Sequence, residues 1–119
     1  MLWSDPVDSV EGLCDPEYKP NDVRGCSYFF GVKAVSNFFD KTKFISLIRA
    51  HEAQLDGFKM HKWKGETTFP PVITIFSAPN YCDVYNNKGA IIKFAVYNKS
   101  EQHPKYSTIQ LQQSPIHAS

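Results

Sequence analysis

The sequence predicts an α/β fold in which mostly antiparallel strands accompany one amphipathic helix. Two apolar runs of strand length, residues 72–76 and 90–97, are rich in β-branched side chains and indicate strands. The helix is indicated by Val32–Thr42, where apolar side chains recur at helical spacing and polar side chains occupy the other face. The long polar segment between the two apolar runs is where we expect functional residues.

Length and composition describe one small globular domain. The chain has 119 residues, of which 42% are hydrophobic and 14% aromatic, so it can bury a core. We expect a single domain over residues 1–115 and a short tail at 116–119. The net charge of +1 gives no general reason to expect a nucleic-acid or anionic-membrane partner. The N-terminus lacks the pattern of a signal peptide, and no apolar run reaches membrane-spanning length.

The three cysteines indicate a reducing compartment. Cys14, Cys26 and Cys82 are widely spaced and form no CxxC pair, so neither a disulfide framework nor a zinc knuckle is predicted. We interpret them as reduced thiols, which favours the cytoplasm, with the nucleus as a further location.

The first part of the chain is predicted to be a strand end followed by a long loop. Residues 1–4 resemble the end of a strand that Asp5 and Pro6 terminate, because a residue that precedes proline is disfavoured in the helical region. Residues 7–22 contain prolines, a glycine and several acids, which is typical of a surface loop. The acids do not follow the spacing of a calcium-binding loop, so a solvated loop is the favoured interpretation.

Arg24 lies beside Gly25 and before an aromatic run. A cysteine-dependent phosphatase site is excluded, because Cys14 lies too far before this arginine and Cys26 lies after it. Two uses of Arg24 stay open, namely a surface salt bridge, which the residues alone favour, and the binding of a phosphate by the planar guanidinium.

The middle of the chain is predicted to contain further strands. Residues 44–49 form a buried strand, and His51 directly after it has either a structural role, which a lone histidine favours, or a role in a site. Residues 58–63 alternate in polarity and are predicted to form a hairpin with the run at 72–76. Residues 107–113 alternate as well and predict a half-buried strand.

The loop at residues 77–89 contains the turn formers proline, asparagine and glycine. Tyr81 and Tyr85 lie on it, where stability alone gives little reason for aromatic side chains. A functional loop and an ordinary hairpin loop both fit this pattern.

Four motifs occur in the order in which they occur in a known family. They are LWSDP at 2–6, RGCSYF at 24–29, RAHEAQ at 49–54 and SAPNYCDVYNNK at 77–88. Together they resemble the phosphoprotein phosphatase family of serine/threonine phosphatases, and the last two motifs are most similar to its calcineurin branch. Cys82 instead matches the protein phosphatase-one and two-A types. The resemblance covers nearly the whole chain but only the C-terminal half of the family's catalytic domain, and it implies part of a calcineurin-like metallophosphatase β-sandwich.

The resemblance implies metal-dependent hydrolysis of phosphoserine and phosphothreonine in proteins. By the motifs, Arg24 clamps the phosphoryl oxygens and Tyr81 lines the phosphate pocket, as catalytic and substrate-binding residues. His51 is a ligand of a dinuclear centre that holds iron and zinc, or manganese. Asp5 and Trp3 match residues near the substrate groove.

The motifs GDxHG, GDxVDRG and GNHE, which carry the family's other metal ligands, do not occur in this sequence. We therefore expect a fragment of such a phosphatase that retains one metal ligand and is inactive alone. The implied partners are phosphoprotein substrates and, for the longer protein, a calcineurin B-like regulatory subunit and calmodulin, whose binding segments the sequence lacks. The alternative is a non-catalytic module that binds phosphopeptides or a full-length phosphatase.

Overall fold

A computed structural model describes residues 3–7, 17–63, 69–94 and 109–114, the last of these by its backbone. The chain divides into two compact units. Unit 1 comprises Met1–Glu52 and Lys59–Ile75, and unit 2 comprises Ala53–Phe58 and Phe76–Ser119. The helices within the described ranges are an α-helix of 11 residues and a 3-10 turn of 3 residues, and neither is long enough to cross a membrane.

The first sheet of unit 1 contains three short strands in the order β1-β3-β2. They are β1 (Asp5–Pro6), β2 (Tyr18–Pro20) and β3 (Tyr28–Phe30). β1 is parallel to β3, whereas β2 is antiparallel to it. Asp5 and Pro6 were expected to end a strand, but they form β1. The loop predicted over 7–22 is wrong at β2, and residues 8–16 of it lie outside the described ranges. Pro6 and Pro20 are tolerated because β1 and β2 are the outer strands of this sheet, where a missing N–H breaks no ladder.

The helix α1 (Val32–Thr42) confirms the predicted bounds. Ala34 and Val35 are buried on its apolar face. Val35 forms the core of unit 1 with Trp63 and Val72, and the partly buried side chains around them are Val7, Phe30, Val32, Phe39 and Leu47. The helix is capped by the next residue, Lys43, which has a left-handed backbone and donates its N–H to the Phe39 carbonyl at 2.7 Å.

The second sheet has the order β4-β6-β5. Its strands are β4 (Leu47–Arg49), β5 (Phe58–His61) and β6 (Val72–Ile75), and β4 is parallel to β6. β5 lies beside β6, as the predicted hairpin requires. The strand expected over 44–49 is confirmed only from Leu47, where pairing with β6 begins. It is not the buried strand that was expected, because Phe44, Ile45 and Ile48 are exposed.

Unit 2 contains β7 (Gly89–Phe94) and β8 (Ile109–Ser114), which pair in antiparallel register. The predicted strands over 90–97 and 107–113 are confirmed where they overlap these bounds, and their remaining residues, 95–97, 107 and 108, lie outside the described ranges. The strand at 107–113 was also predicted to expose one face to solvent. This stays a prediction, because the side chains of that strand lie outside the described part of the structure. Ile91 and Phe94 are exposed, so β7 is not a fully buried strand.

In the described residues the fold class is α/β with one α-helix, and antiparallel pairs are not in the majority among the strand pairs whose register is described. Of the four strand pairs with a described register, β1 with β3 and β4 with β6 are parallel, and β2 with β3 and β7 with β8 are antiparallel. In the first sheet β3 lies between β1 and β2, and in the second sheet β6 lies between β4 and β5. In each sheet the strand that comes first in the chain therefore lies beside the strand that comes third. A local apolar run does not reveal this direction, because pairing depends on where a distant strand lies.

Candidate functional site

Asp5 is the centre of a polar cluster in unit 1. Its buried carboxylate accepts hydrogen bonds from Asn21 Nδ2 at 2.8 Å and from Arg49 Nη2 at 2.8 Å. Arg24 donates to both carboxylate oxygens, from Nε to Oδ2 and from Nη2 to Oδ1, the latter at 2.9 Å. One carboxylate from β1 therefore holds two guanidinium groups.

Asp5 and Arg24 keep their charges at neutral pH. Burial by itself raises the pKa of Asp5, but the hydrogen bonds from Arg24 and Asn21 and the positive charges of Arg24 and Arg49 outweigh it, so this pKa lies below its usual value. The hydrogen bond to Asp5 is also the main reason why the pKa of Arg24 is raised. Proton gain by Asp5 and proton loss from Arg24 are therefore disfavoured near pH 7.

A tight turn between β2 and β3 presents Arg24. The Asn21 side-chain oxygen accepts a hydrogen bond from the Arg24 backbone N–H at 3.1 Å. Gly25 and Ser27 have φ values of 66° and 64°. No atom lies within 4 Å of a Cβ built on Gly25, so there is space for a side chain. Glycine is favoured here because it adopts the positive φ of the turn without strain.

The guanidinium of Arg24 already donates hydrogen bonds to the protein through two of its three nitrogens. Its Nη2 donates to the backbone carbonyl of His51 at 2.7 Å, in addition to Asp5. Within the described residues these bonds use Nε and Nη2 and leave the Nη1 edge for a ligand, with 19% of the side chain exposed. The sequence favoured a surface salt bridge for Arg24. A salt bridge is present, but it is not at the surface, because its partner is the buried Asp5.

His51 and Trp3 lie beside this guanidinium. The indole of Trp3 contacts the imidazole edge to face, with ring centroids 4.3 Å apart, and the Arg24 guanidinium carbon lies 5.7 Å from the Trp3 ring centroid. His51 is exposed and has a φ of 76°, a left-handed conformation that costs a non-glycine residue roughly 1–3 kcal/mol. Backbone strain of this kind is concentrated at functional positions.

His51 is the candidate metal ligand of this cluster. His51 offers an exposed imidazole, which is a suitable ligand for zinc, iron or manganese. No group of three or more His, Cys, Asp or Glu side chains that could hold a metal ion occurs in the part of the chain that the structure describes. These residues therefore do not form a metal site by themselves, and the role of His51 as a ligand stays a prediction.

Tyr81 belongs to unit 2, whereas Trp3, Asp5, Arg24 and His51 belong to unit 1. Tyr81 begins a 3-10 turn and packs edge to face on Phe76, with ring centroids 5.2 Å apart. The structure thus brings four of the five predicted site residues together within one unit.

The loop that carries Tyr81 is held from inside by a buried asparagine. Asn87 accepts a hydrogen bond from the Tyr81 backbone N–H at 2.9 Å and donates to the Ala78 carbonyl at 2.7 Å. Asn80 and Asn86 have positive φ values, which asparagine tolerates in turns, and Cys82 and Asp83 have them as well. Tyr81 therefore lies on an ordered turn with its side chain partly exposed.

Sequence reasoning missed Arg49 and Asn21. Arg49 ends β4, and its side chain is only 10% exposed. A charged residue at the end of an apolar strand is a usable signal, because a buried arginine requires partners. Its partner Asp5 lies 44 residues earlier in the chain, however, so no local spacing identifies the pair.

No family model matches the chain. It is 44% identical over 102 residues to serine/threonine-protein phosphatase 2B catalytic subunit A1 of Saccharomyces cerevisiae, which covers 79% of this chain and 18% of that protein. It is 38% identical over 119 residues to subunit A2 of the same yeast, which covers 79% of this chain and 20% of that protein. The chain thus spans at most 20% of these curated relatives.

Among solved structures, the fold is similar to a protein serine/threonine phosphatase from Saccharomyces cerevisiae that is described as similar to human phosphatase PP5. The TM-score is 0.63, and the match covers 97% of this chain and 33% of that chain. The sequence identity of 24% makes this a likeness of fold.

Proposed function

Because the chain is homologous to a segment of the calcineurin (protein phosphatase 2B) catalytic subunits, which are phosphoprotein phosphatases, we propose that it takes part in the metal-dependent hydrolysis of phosphoserine and phosphothreonine in proteins. The observation that carries the proposal is the Nη1 edge of Arg24, which the buried Asp5 orients beside the exposed His51. The relatives are much longer than this chain, so the proposal concerns the contribution of this segment.

Arg24 is the residue that we propose to bind the phosphoryl group. Its Nη1 donates to phosphoryl oxygens while Nε and Nη2 remain bound to Asp5 and to the His51 carbonyl. A charge-assisted hydrogen bond of this kind contributes about 1.5 to 3 kcal/mol. Trp3 covers one side of the guanidinium and restricts its movement.

Asp5 acts on the substrate through Arg24. Its carboxylate is buried and accepts hydrogen bonds from three side chains, so it orients the guanidinium and does not contact the substrate itself. Tyr81 is proposed to line the phosphate pocket. Its backbone is fixed by Asn87 and its ring by Phe76, which suits a side chain that has to hold one position.

His51 is proposed to give one imidazole ligand to a dinuclear centre of iron and zinc, or of manganese. Such a centre, when bound, supplies an activated water and stabilises negative charge at the reacting phosphate. The hydrogen bond from Arg24 to the His51 carbonyl fixes the backbone of the ligand residue relative to the phosphate-binding guanidinium. The further ligands would come from outside the described residues.

The proposed substrates are phosphoproteins. For the longer protein we further propose a calcineurin B-like regulatory subunit and calmodulin as partners, by homology to the protein phosphatase 2B subunits. Cys26 and Cys82 are exposed free thiols, which suits a reducing compartment such as the cytoplasm.

A chimera tests this function. The matching residues of the yeast protein phosphatase 2B catalytic subunit A1 are replaced by those of this chain, and turnover of a phosphoserine peptide is measured with added manganese. We expect turnover in the chimera and its loss in the His51→Ala variant. The control is Lys62→Ala, which shortens an exposed side chain of unit 1 and should keep the turnover. A folded chimera whose turnover is unchanged by His51→Ala would contradict the proposal.

The second candidate is a non-catalytic module that binds phosphopeptides or a full-length phosphatase. One observation in its favour is the Nη1 edge of Arg24, which needs no metal ion to bind a phosphate. Another is that the described site contains a single imidazole and no group of three or more side chains that could hold a metal ion. Calorimetry of the 119-residue chain with a phosphoserine peptide, beside a manganese-dependent assay on p-nitrophenyl phosphate, separates the two. Arg24-dependent binding without turnover, together with an inactive chimera, would favour this module.

A further inference from the structure

Arg49 lies between the Asp5 cluster and a buried hydrogen-bonded pair in the second sheet. Its Nη2 donates to Asp5 Oδ1 at 2.8 Å, and its Nη1 is 3.3 Å from Thr74 Oγ1. Thr74 Oγ1 in turn lies 2.9 Å from Nε2 of His61. Thr74 and His61 are 0% and 2% exposed, so this path runs through the interior of unit 1.

The strand order produces this path. Arg49 and Thr74 are register partners on the parallel strands β4 and β6, so their side chains lie next to each other. His61 is the last residue of β5, which lies on the other side of β6. Three neighbouring strands therefore each contribute one polar side chain to the same path.

We propose that Arg49 is a positioning residue for the guanidinium of Arg24, and that Thr74 and His61 fix its orientation. Arg49 and Arg24 both donate to Oδ1 of Asp5, so the place of one guanidinium sets the carboxylate plane that receives the other. The consequence for catalysis rests on the function proposed for Arg24, whereas the positioning itself does not.

Arg49 is held at both of its terminal nitrogens. Besides Asp5 and Thr74, it donates to Glu52 Oε2 at 2.6 Å and to the Ser4 carbonyl at 3.2 Å. Its positive charge thus lies between two carboxylates, and each contact restricts the rotation of the planar group. A fixed donor matters because the terminal torsion of an aspartate side chain is broad and does not define the carboxylate plane by itself.

The hydroxyl of Thr74 is the link that can be removed with least change of shape. It has one hydrogen and two lone pairs, so it can accept from Arg49 and share a hydrogen bond with His61 in either histidine tautomer. Thr74→Val removes the hydroxyl and keeps a β-branched side chain in the strand. Thr74→Ser keeps the hydroxyl. The double variant Thr74→Val/His61→Phe also removes the polar group that the first change leaves behind, so it protects folding while the link stays broken.

Nuclear magnetic resonance of the 119-residue chain measures the positioning directly. The readout is the exchange with water of the Arg24 Nε–H proton, which is bound to Asp5. We expect this exchange to become about tenfold faster, equivalent to ~1.4 kcal/mol, in Thr74→Val and in the double variant, and to stay unchanged in Thr74→Ser. The control is Ser46→Ala, which removes a hydroxyl that donates to the Pro70 carbonyl at 2.9 Å, and it should leave the Arg24 proton unaffected.

Unchanged Arg24 exchange in both folded valine variants would overturn the proposal, as would an equal change in Ser46→Ala. The same substitutions in the phosphatase chimera give the catalytic readout, where we expect kcat/KM to fall in the two valine variants and to be retained in Thr74→Ser. If Arg24→Ala leaves the activity of the chimera unchanged, the function proposed for Arg24 fails. The exchange measurement still decides whether Arg49 positions Arg24.

Discussion

Asp5 is a buried carboxylate that two arginines and one asparagine share. A buried charge is tolerated only while its partners stay in place, because an uncompensated charge in the interior is strongly destabilising. The same residue therefore serves the stability of unit 1 and the orientation of Arg24.

Asp5→Asn removes the charge and keeps the shape of the side chain. It leaves Arg24 and Arg49 beside a neutral amide, so we expect the free energy of unfolding to fall by about 3 kcal/mol. Urea unfolding at pH 7 measures this. The control is Asp22→Asn at an exposed position, where a change within about 0.5 kcal/mol is expected. Equal changes in the two variants would show that the Asp5 cluster contributes nothing to stability.

The stability of the chain should also depend on the protonation of Asp5. Its pKa is lower in the folded chain than in the unfolded chain, so its contribution is fully present above the unfolded value of about 3.9 and is lost as the pH falls through the folded pKa. We expect the urea midpoint of the wild type to drop more steeply than that of Asp5→Asn when the pH is lowered from 5 through this acidic range. Parallel pH profiles would contradict the lowered pKa.

Among the secondary-structure elements, the helix was predictable and the sheets were only partly so. The bounds of α1 follow from an apolar periodicity that lies wholly within the element. The start of β4 at Leu47 and its parallel pairing with β6 depend on a strand that begins at Val72. Local pattern cannot supply such information, which is why Phe44 and Ile45 were expected to be buried.

Gly57 lies before β5 and closely approaches the start of β7. It has a φ of 79°, and a Cβ at this position would lie 2.7 Å from the Ala90 nitrogen and 2.9 Å from the Lys88 carbonyl oxygen. Gly57→Ala adds this clash to the cost of a left-handed alanine, so we expect a loss of stability of about 3 kcal/mol.

Gly25→Ala is the matched control, since Gly25 also has a positive φ but open space around its Cβ. It should cost only the conformational penalty of about 1 kcal/mol. Thermal unfolding of the two variants measures the difference. Equal losses would show that the contact with β7 is looser than the structure indicates.

At the scale of the whole molecule, the sequence motifs predicted five site residues, and the structure brings four of them together in unit 1. Trp3, Asp5, Arg24 and His51 lie together in unit 1 because two sheets and the turn at Gly25 bring them there. The roles of Arg49 and Thr74 could not be predicted, since they arise from strand register. Unit 1 contains two three-stranded sheets and unit 2 contains one two-stranded sheet, and the expected β-sandwich stays a prediction.

The proposal that Arg24 binds the phosphoryl group is tested most directly by kcat/KM of the phosphatase chimera on a phosphoserine peptide. Loss of one charge-assisted contact corresponds to about 1.5 to 3 kcal/mol. Arg24→Ala should therefore lower kcat/KM at least about tenfold, while Lys19→Ala, which removes an exposed charge near Phe29, should leave it unchanged. A value for Arg24→Ala equal to that of the unsubstituted chimera would contradict the proposed role.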